Sequence, residues 1–290
     1  MTAKRLLLCT DLDRTLLPNG PQPESARARP GFAALVAHQE VCLAFVSGRD
    51  RQRILAAMAE YRLPAPDFVI SDVGTAIYDL RPGNWQLWQE WREQIAGDWG
   101  GKSWRQLHPV LAQDTPLSLQ REDQQGEFKL SYFVPPGADR IQLAATLSRR
   151  LTDLGIAARL TWSTDETAGI GLLDILPRRA GKLQAVEFLG AALGLSWRQC
   201  LFAGDSGNDL EVLASPIPAV LVANAISDVR DEAVAVAARA GNRDRLYLAG
   251  GNFRGLNGNY SAGILEGVAH FHPELVEFFA SALESHAQDH

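Results

Sequence analysis

Short apolar segments that end in small polar residues recur along the first part of the chain. Apolar runs at 5–10, 41–46 and 67–70 alternate with segments of helical pattern at 32–39 and 51–61. Apolar runs of this length are typical of strands buried on both faces of a parallel sheet, and the segments between them have the spacing of helices. The first 80 residues therefore predict a βαβαβ unit.

The same alternation returns in the last third of the chain. Helices are predicted at 183–193, 210–213, 229–240 and 274–285, and strands at 199–203 and 219–222. Strands that alternate with helices favour a continuation of the same parallel sheet.

The middle of the chain has a different pattern. Five tryptophans lie between 84 and 104, and three of them, Trp85, Trp88 and Trp91, are spaced like one face of a helix. This spacing favours packed core over a sugar-stacking face. Polar and apolar residues alternate over 128–134, as in a half-buried strand. Further elements are predicted at 141–154, 158–162 and 172–176.

These patterns predict an α/β fold, with a Rossmann-like parallel-sheet core domain and an inserted α+β cap domain. The predicted bounds are 1–82 for the first part of the core, 83–176 for the cap and 177–290 for the second part of the core. A length of 290 residues suits two modest domains.

Composition narrows the class of protein. The net charge of −6 argues against a broad nucleic-acid surface. Cys9, Cys42 and Cys200 lie in or beside apolar runs, which predicts small buried side chains in a reducing compartment. No run reaches the roughly 18 apolar residues of a membrane span, and no signal peptide opens the chain. We expect a cytoplasmic protein that binds neither nucleic acid nor membrane.

Polar clusters follow four of the predicted strands. Ligands of open parallel sheets bind at the carboxyl ends of the strands, so clusters far apart in sequence can meet in one crevice. The clusters are Asp11-Leu12-Asp13, Ser47-Gly48-Arg49, Asp72-Val73-Gly74-Thr75 and Asp205-Ser206-Gly207-Asn208-Asp209.

The converging carboxylates predict a divalent cation. Asp11, Asp13, Asp205 and Asp209 would repel one another without one. Hard oxygen ligands with no His or Cys nearby favour Mg²⁺, which also binds phosphate oxygens.

The remaining polar groups suit phosphate. The Ser47 hydroxyl and the backbone N–H groups near Gly48 can hold phosphate oxygens, and Lys182 can supply a point charge. Each cluster alone has a plainer interpretation: a strand-end turn at Asp11 and Asp13, a plain turn at Ser47-Gly48, a solvated helix-start lysine, or a helix cap with its loop at 205–209. Their order and their placement at strand ends together favour phosphate chemistry.

The clusters also resemble a known superfamily, the haloacid-dehalogenase-like hydrolases. Asp11-Leu-Asp13-Arg-Thr15-Leu is similar to the first motif, D-x-D-x-T-L, and Val46-Ser47-Gly48-Arg49 to the second. Lys182 corresponds to the third motif. Gly204-Asp205-Ser-Gly-Asn208-Asp209 is similar to the fourth, G-D-x-x-N-D. A cap inserted between the second and third motifs is the mark of the subfamily with a large α/β cap.

Within that subfamily the chain resembles sucrose-phosphate phosphatases, and mannosylfructose-phosphate phosphatases share much of the pattern. The resemblance is carried by Val73-Gly74-Thr75, Phe128-Lys129-Leu-Ser131-Tyr132, Leu173-Asp174-Ile-Leu-Pro177 and the segment 261–271. Three positions depart from it. Arg14 stands where many relatives have Gly or Asn, Gly181-Lys182 replaces the usual Lys-Gly, and Ala76 replaces a Glu near the sugar end of the family site.

The resemblance implies roles for individual residues. Asp11 would be the nucleophile, Asp13 the general acid and base, and Lys182 a catalytic cation. Mg²⁺ would be bound by Asp11, by the backbone carbonyl of Asp13 and by Asp205, with Asp209 orienting the metal shell or Lys182. Substrate-binding residues would be Ser47, Gly48, Arg49, Lys129 and Asn208. Lys129 has an equally plain interpretation as an exposed strand lysine.

The implied activity is Mg²⁺-dependent hydrolysis of a sugar phosphate, foremost sucrose 6-phosphate, with a sucrose-phosphate synthase as candidate partner. Because of Ala76, mannosylfructose phosphate, glucosylglycerol phosphate and other phosphorylated sugars or polyols stay open as substrates. Two other classes are a non-catalytic phosphosugar-binding domain and a phosphomutase. A pure binder has no need of a nucleophile and an acid, which argues against the former.

Overall fold

A computed structural model describes residues 5–165 and 168–285 of the chain. The strands are β1 (Leu6–Thr10), β2 (Val41–Val46), β3 (Phe68–Ser71), β4 (Ala76–Asp79), β5 (Gln86–Leu87), β6 (Ser118–Leu119), β7 (Leu130–Val134), β8 (Ala158–Asp165), β9 (Ile170–Pro177), β10 (Cys200–Gly204), β11 (Ala219–Leu221) and β12 (Leu246–Leu248). The α-helices are α1 (Ala28–Val36), α2 (Arg51–Tyr61), α3 (Gln89–Ala96), α4 (Trp104–Ala112), α5 (Arg140–Asp153), α6 (Lys182–Ala192), α7 (Leu210–Leu213), α8 (Ser227–Arg239), α9 (Ser261–Phe271) and α10 (Glu277–Ser285).

The larger of two sheets, the core sheet, has the strand order β12-β11-β10-β1-β2-β3-β4-β5. Its first six strands are parallel, and β4 and β5 add an antiparallel edge. The predicted α/β class with a parallel sheet is confirmed. Strands β4, β5 and β12 were not among the predicted elements.

Both faces of the core sheet are buried, which explains the uninterrupted apolar runs. In β1, Leu6 and Leu8 belong to one apolar cluster, while Leu7 and Cys9 belong to the other. Helices α1, α2, α9 and α10 contribute to the first cluster, and α6, α7 and α8 contribute to the second. Successive strand residues point to opposite faces, so a strand between two helical layers has no polar side.

The smaller, antiparallel sheet, the cap sheet, has the order β6-β7-β9-β8. On β7, Leu130, Tyr132 and Val134 pack in the apolar cluster that also holds buried residues of α4 and α5. The alternate positions of the strand face the core sheet, where they line a cavity. The predicted strand at 128–134 is confirmed, and its period of two decides which side chains reach the site.

The predicted division into core and cap domains stays a prediction, and one strand bears on its first boundary. Strand β5 lies within the range 83–176 predicted for the cap, yet it pairs with β4 of the core sheet. The polypeptide therefore stays with the core sheet until about the start of α3.

The predicted helical face of three tryptophans is wrong. Only Trp91 lies in α3; Trp85 directly precedes β5, and Trp88 caps the helix. The segment before α3 pairs with β4 as strand β5, so it is extended and does not continue the helix that the three-residue spacing predicted. Trp88 and Trp91 pack against Phe188 of α6, with ring centroids 5.6 and 5.1 Å away. These two rings therefore form packed core, as their apolar surface favours.

The three cysteines are buried and free, as predicted. Within residues 5–165 and 168–285, no helix combines the length and apolar character that crossing a membrane requires.

Candidate active site

Neighbouring strands of the core sheet bring two carboxylates together. Asp11 follows β1 and Asp205 follows β10, and the two strands pair in parallel. The backbone N–H of Asp11 donates a hydrogen bond to the carbonyl of Ala203, 2.9 Å away, so the pairing continues to the strand end. Together with Asp209, these residues place three carboxylate oxygens within 4.8 Å of one another.

Lys182, the first residue of α6, is buried and contacts this cluster. Its Nζ lies 3.1 Å from Asp11 Oδ1 and 2.7 Å from Asp209 Oδ1, and it donates to Asn208 Oδ1 at 2.7 Å. Three contacts use all three donors of an ammonium group. Burial alone would lower the pKa of Lys182, but the charges of Asp11 and Asp209 outweigh it and raise the pKa above its usual value. Lys182 therefore stays charged at neutral pH.

Asp209 holds the loop that carries Asp205. Its Oδ2 accepts hydrogen bonds from the backbone N–H groups of Asp205 and Ser206, both at 3.1 Å. The other oxygen holds Lys182. Thr15 donates its hydroxyl hydrogen bond to Asp205 Oδ1 at 3.1 Å. Of the two roles predicted for Asp209, these contacts match the orientation of Lys182.

The buried carboxylates fit a divalent cation. Burial, together with the charges of Asp209 and Asp13, raises the pKa of Asp11 to about 7, although Lys182 acts to lower it. Burial, and then the charges of Asp11 and Asp209, raise the pKa of Asp205 well above its usual range. A hard cation among these oxygens would favour their ionised forms, and carboxylates are its preferred ligands. Asp11, Asp205 and Asp209 therefore could hold the metal, while the Asp13 carboxylate lies outside this group.

Asp13 is engaged by Arg49 and Asn19 instead. Arg49 donates two hydrogen bonds to its carboxylate, at 2.8 and 2.6 Å, and Asn19 Nδ2 donates one at 2.7 Å. Burial raises the pKa of Asp13, but the hydrogen bonds and charge of Arg49 outweigh burial and hold it below the usual value. In this arrangement Asp13 is a proton acceptor, and proton donation requires that its contacts with Arg49 loosen.

The predicted phosphate-binding segment follows β2. Ser47 is fully buried, and its Oγ accepts the backbone N–H of Arg49 at 3.2 Å. Gly48 and Arg49 lie on the wall of the cavity, and Asn208 lies on the same wall. Ser47 lies behind that wall rather than on it.

Lys129 connects the cap sheet to this segment. The residue is 4% exposed, and its Nζ donates to the carbonyl of Gly48 at 3.1 Å. It also forms an ion pair with Asp72, 3.0 Å away. The plain interpretation of Lys129 as an exposed lysine is wrong, because the side chain spans from one sheet to the other.

The cavity between the two sheets has a volume of about 580 Å³. Asp11, Asp13 and Asp205 lie on its floor, and Gly48, Arg49 and Asn208 also line it. Its roof is the face of the cap sheet opposite the helices, and the roof residues are Lys129, Ser131, Phe133, Leu172 and Asp174.

Several functional candidates escaped the sequence prediction. Asn19, Ser131 and Asp174 line the cavity, and Asp174 accepts a hydrogen bond from Ser131. The period-two pattern that starts at Lys129 contained the signal for Ser131, since alternate residues of a strand share a face. Asn19 carried no such signal. Ala76, at the start of β4, is absent from the residues described on the cavity wall.

Residues 4–272 match the family model of sucrose-6F-phosphate phosphohydrolase. The chain belongs to this family. The family model and the sucrose-phosphatase relatives agree on the reaction class, so the chain is a phosphoric monoester hydrolase. The resemblance to haloacid-dehalogenase-like hydrolases is confirmed.

Relatives of this family member cover most of its length. A HAD-like hydrolase of Nitrosococcus oceani is 48% identical over 286 residues, which are 99% of this chain and 77% of that protein. The mannosylfructose-phosphate phosphatase of Agrobacterium fabrum is 30% identical over 224 residues, 77% of this chain and 85% of that protein. The chain spans 26% of a glucosylglycerol-phosphate synthase of Pseudomonas anguilliseptica and 51% of the sucrose-phosphatase 1 of Nicotiana tabacum.

The fold has a solved counterpart. The sucrose-phosphatase of Synechocystis, in complex with sucrose and phosphate, superposes with a TM-score of 0.73. The match covers 92% of this chain and 98% of that one, at 24% identity. This likeness shows that the core and cap sheets belong to one known fold.

Proposed function

We propose that this family member hydrolyses sucrose 6-phosphate to sucrose and phosphate, with Mg²⁺ and through an aspartyl-phosphate on Asp11. The observation that carries the proposal is the floor of the cavity, where the Lys182 ammonium contacts Asp11 and Asp209 beside Asp205. A nucleophile, a fixed cation and further carboxylates at one point are what phosphoryl transfer from an ester requires.

The reaction has two steps. A carboxylate oxygen of Asp11 attacks phosphorus, the bond from phosphorus to the sugar oxygen breaks, and Asp13 gives its proton to that oxygen. Asp13 then takes a proton from water, which attacks the aspartyl-phosphate and releases phosphate. Lys182 offsets negative charge on Asp11 and on the transferring group. Mg²⁺ held by Asp11, Asp205 and the backbone carbonyl of Asp13 would neutralise further phosphate charge.

Polar side chains around the cavity support a sugar as the leaving group. Gln120, Gln124, Ser131 and Asp174 line the cavity and can exchange hydrogen bonds with sugar hydroxyls. A volume of about 580 Å³ accommodates more than a monosaccharide phosphate. The family description and the sucrose held by the Synechocystis counterpart favour sucrose as the sugar.

Two other substrates have support of their own. The 30% identity to a mannosylfructose-phosphate phosphatase favours mannosylfructose phosphate, and the identity of the same size to part of a glucosylglycerol-phosphate synthase favours glucosylglycerol phosphate. If the substrate is a disaccharide phosphate, a synthase must supply it. We propose that the enzyme acts in the cytoplasm together with such a synthase, foremost sucrose-phosphate synthase.

The test is phosphate release from a panel of substrates, with Mg²⁺ and with EDTA. The panel contains sucrose 6-phosphate, mannosylfructose phosphate, glucosylglycerol phosphate, glucose 6-phosphate and fructose 6-phosphate. We expect Mg²⁺-dependent release with the highest kcat/KM for sucrose 6-phosphate. A higher kcat/KM for another compound of the panel would make that compound the substrate and leave the proposed mechanism unchanged. An isomerised product without free phosphate would indicate a phosphomutase, and no turnover by folded protein would indicate a binding domain.

A further inference from the structure

Arg14 is held in one conformation at the edge of the carboxylate cluster. Its φ of 57° lies in the left-handed region. Asn224 Nδ2 donates to the Arg14 carbonyl at 2.6 Å, and Asn19 Oδ1 accepts the Arg14 backbone N–H at 2.8 Å. A guanidinium nitrogen of Arg14 donates to the Asn224 carbonyl at 3.2 Å. Main chain and side chain are thus both tied to buried Asn224.

The Arg14 side chain lies against a candidate metal ligand. Its Nε is 3.6 Å from Asp205 Oδ2, and the two side chains are 19% and 3% exposed. Arg14 also lines the cavity. A guanidinium stays charged under all ordinary conditions, so it is a permanent positive charge beside Asp205.

We propose that Arg14 is a positioning residue that sets the Mg²⁺ affinity of the carboxylate cluster, because it shares the negative charge of Asp205 with the cation. The proposal rests on the cation in the proposed function. Two positive charges that use one carboxylate repel each other, so Arg14 weakens Mg²⁺ binding while it offsets the charge of Asp205 in the metal-free protein.

The test is calorimetric titration of metal-free protein with MgCl₂ in the absence of any substrate. Arg14→Asn removes the charge and suits the left-handed backbone, which asparagine adopts readily. We expect its Kd for Mg²⁺ to be about threefold to tenfold lower than that of the wild type, the scale of one nearby charge at a partly exposed site. Arg14→Lys keeps the charge, and its Kd should stay within about twofold of the wild type.

Two controls make the result decisive. Arg179 pairs with Asp98 at 2.8 Å outside the cavity, so Arg179→Gln removes an equal charge from another ion pair and should leave the Kd unchanged. Arg14→Gln, which keeps the side-chain length, replaces Arg14→Asn if that variant unfolds. An unchanged or higher Kd in the neutral Arg14 variants would overturn the inference alone. A wild type that binds no Mg²⁺ would overturn the cation of the proposed function together with the inference.

Discussion

At the scale of single residues, the candidate active site is a problem of charge. Asp11, Asp205 and Asp209 are 0–5% exposed, and isolated buried carboxylates are strongly unfavourable. Lys182 compensates part of this charge through direct contacts with two of them. Its placement at the start of α6 thus brings a compensating positive charge into the cluster.

Asp11→Asn tests the nucleophile. The amide has nearly the shape of the carboxylate but does not attack phosphorus, so we expect phosphate release to fall by at least about 10³-fold. The fold should persist, because the change also removes one of three crowded charges. Phosphate release and circular dichroism of the same preparation provide the check. Substantial activity in this variant would exclude the aspartyl-phosphate on Asp11.

Lys182→Met tests the charge compensation. Methionine retains most of the side-chain length but leaves Asp11 and Asp209 without their cation, so we expect the free energy of unfolding to fall by about 3–5 kcal/mol. Urea denaturation in EDTA measures this loss without interference from metal. Lys102→Met, outside the cavity, is the matched control and should change stability by no more than about 0.5 kcal/mol. A loss below about 1 kcal/mol for Lys182→Met would contradict the compensation.

At the scale of secondary-structure elements, two glycines lie where the turn after β3 meets the start of α6. Gly74 has a φ of 94° and lies so close to Gly181 that a Cβ on Gly74 would overlap the Gly181 carbonyl group. Gly181 has a φ of 150° and directly precedes Lys182. The absence of a side chain at Gly74 therefore allows the turn after β3 to touch the start of α6 backbone to backbone.

Gly74→Ala tests this contact. The new Cβ forces the turn and α6 apart, so we expect the free energy of unfolding to fall by about 3 kcal/mol or more and phosphate release to fall with it. Gly83→Ala is the matched control, since Gly83 has a similar φ of 85° and open space around it. Its cost should be only the backbone strain, about 1–2 kcal/mol, with activity retained. Equal losses in the two variants would show that backbone strain, not the contact, explains Gly74.

The elements also show where prediction from the sequence succeeds and fails. The strand at 41–46 and the helix at 51–61 coincide with β2 and α2, because long uninterrupted patterns decide both. Strand β5 has two residues and depends on pairing with β4, so no local pattern indicates it. The prediction that Trp85 and Trp88 lie on a helix was wrong for the same reason, because pairing with β4 decides the conformation of this segment.

At the scale of the whole molecule, the cap sheet contacts the core sheet at the predicted phosphate-binding segment. Lys129, which directly precedes β7, reaches to Gly48 and Asp72. Asp72 itself has a φ of 51° and is followed by Val73 with a φ of 58°, so the turn that meets the cap is held in a conformation uncommon for such residues. These contacts join the cap sheet to the segments that follow β2 and β3 of the core sheet.

Lys129→Met tests whether this link serves sugar recognition. Without it the roof is less firmly placed, so we expect KM for sucrose 6-phosphate to rise about tenfold. Turnover of p-nitrophenyl phosphate, which has no sugar for the roof to bind, should change by less than about twofold. Arg92→Gln breaks an exposed ion pair with Glu127 and should alter neither value. An equal loss on both substrates would place Lys129 in the chemistry rather than in sugar binding.

The sequence by itself determined the parallel sheet and the identity of the polar clusters. Buried strands and strand-end motifs are local patterns, so they can be recognised without knowing how the chain packs. It left open how the clusters meet. Only the tertiary structure paired Asp13 with Arg49 and Asn19, set Arg14 against Asp205 and turned Lys129 toward Gly48. Such contacts depend on strand order and on the height of the cap, which are set by long-range packing and have no signature in neighbouring residues.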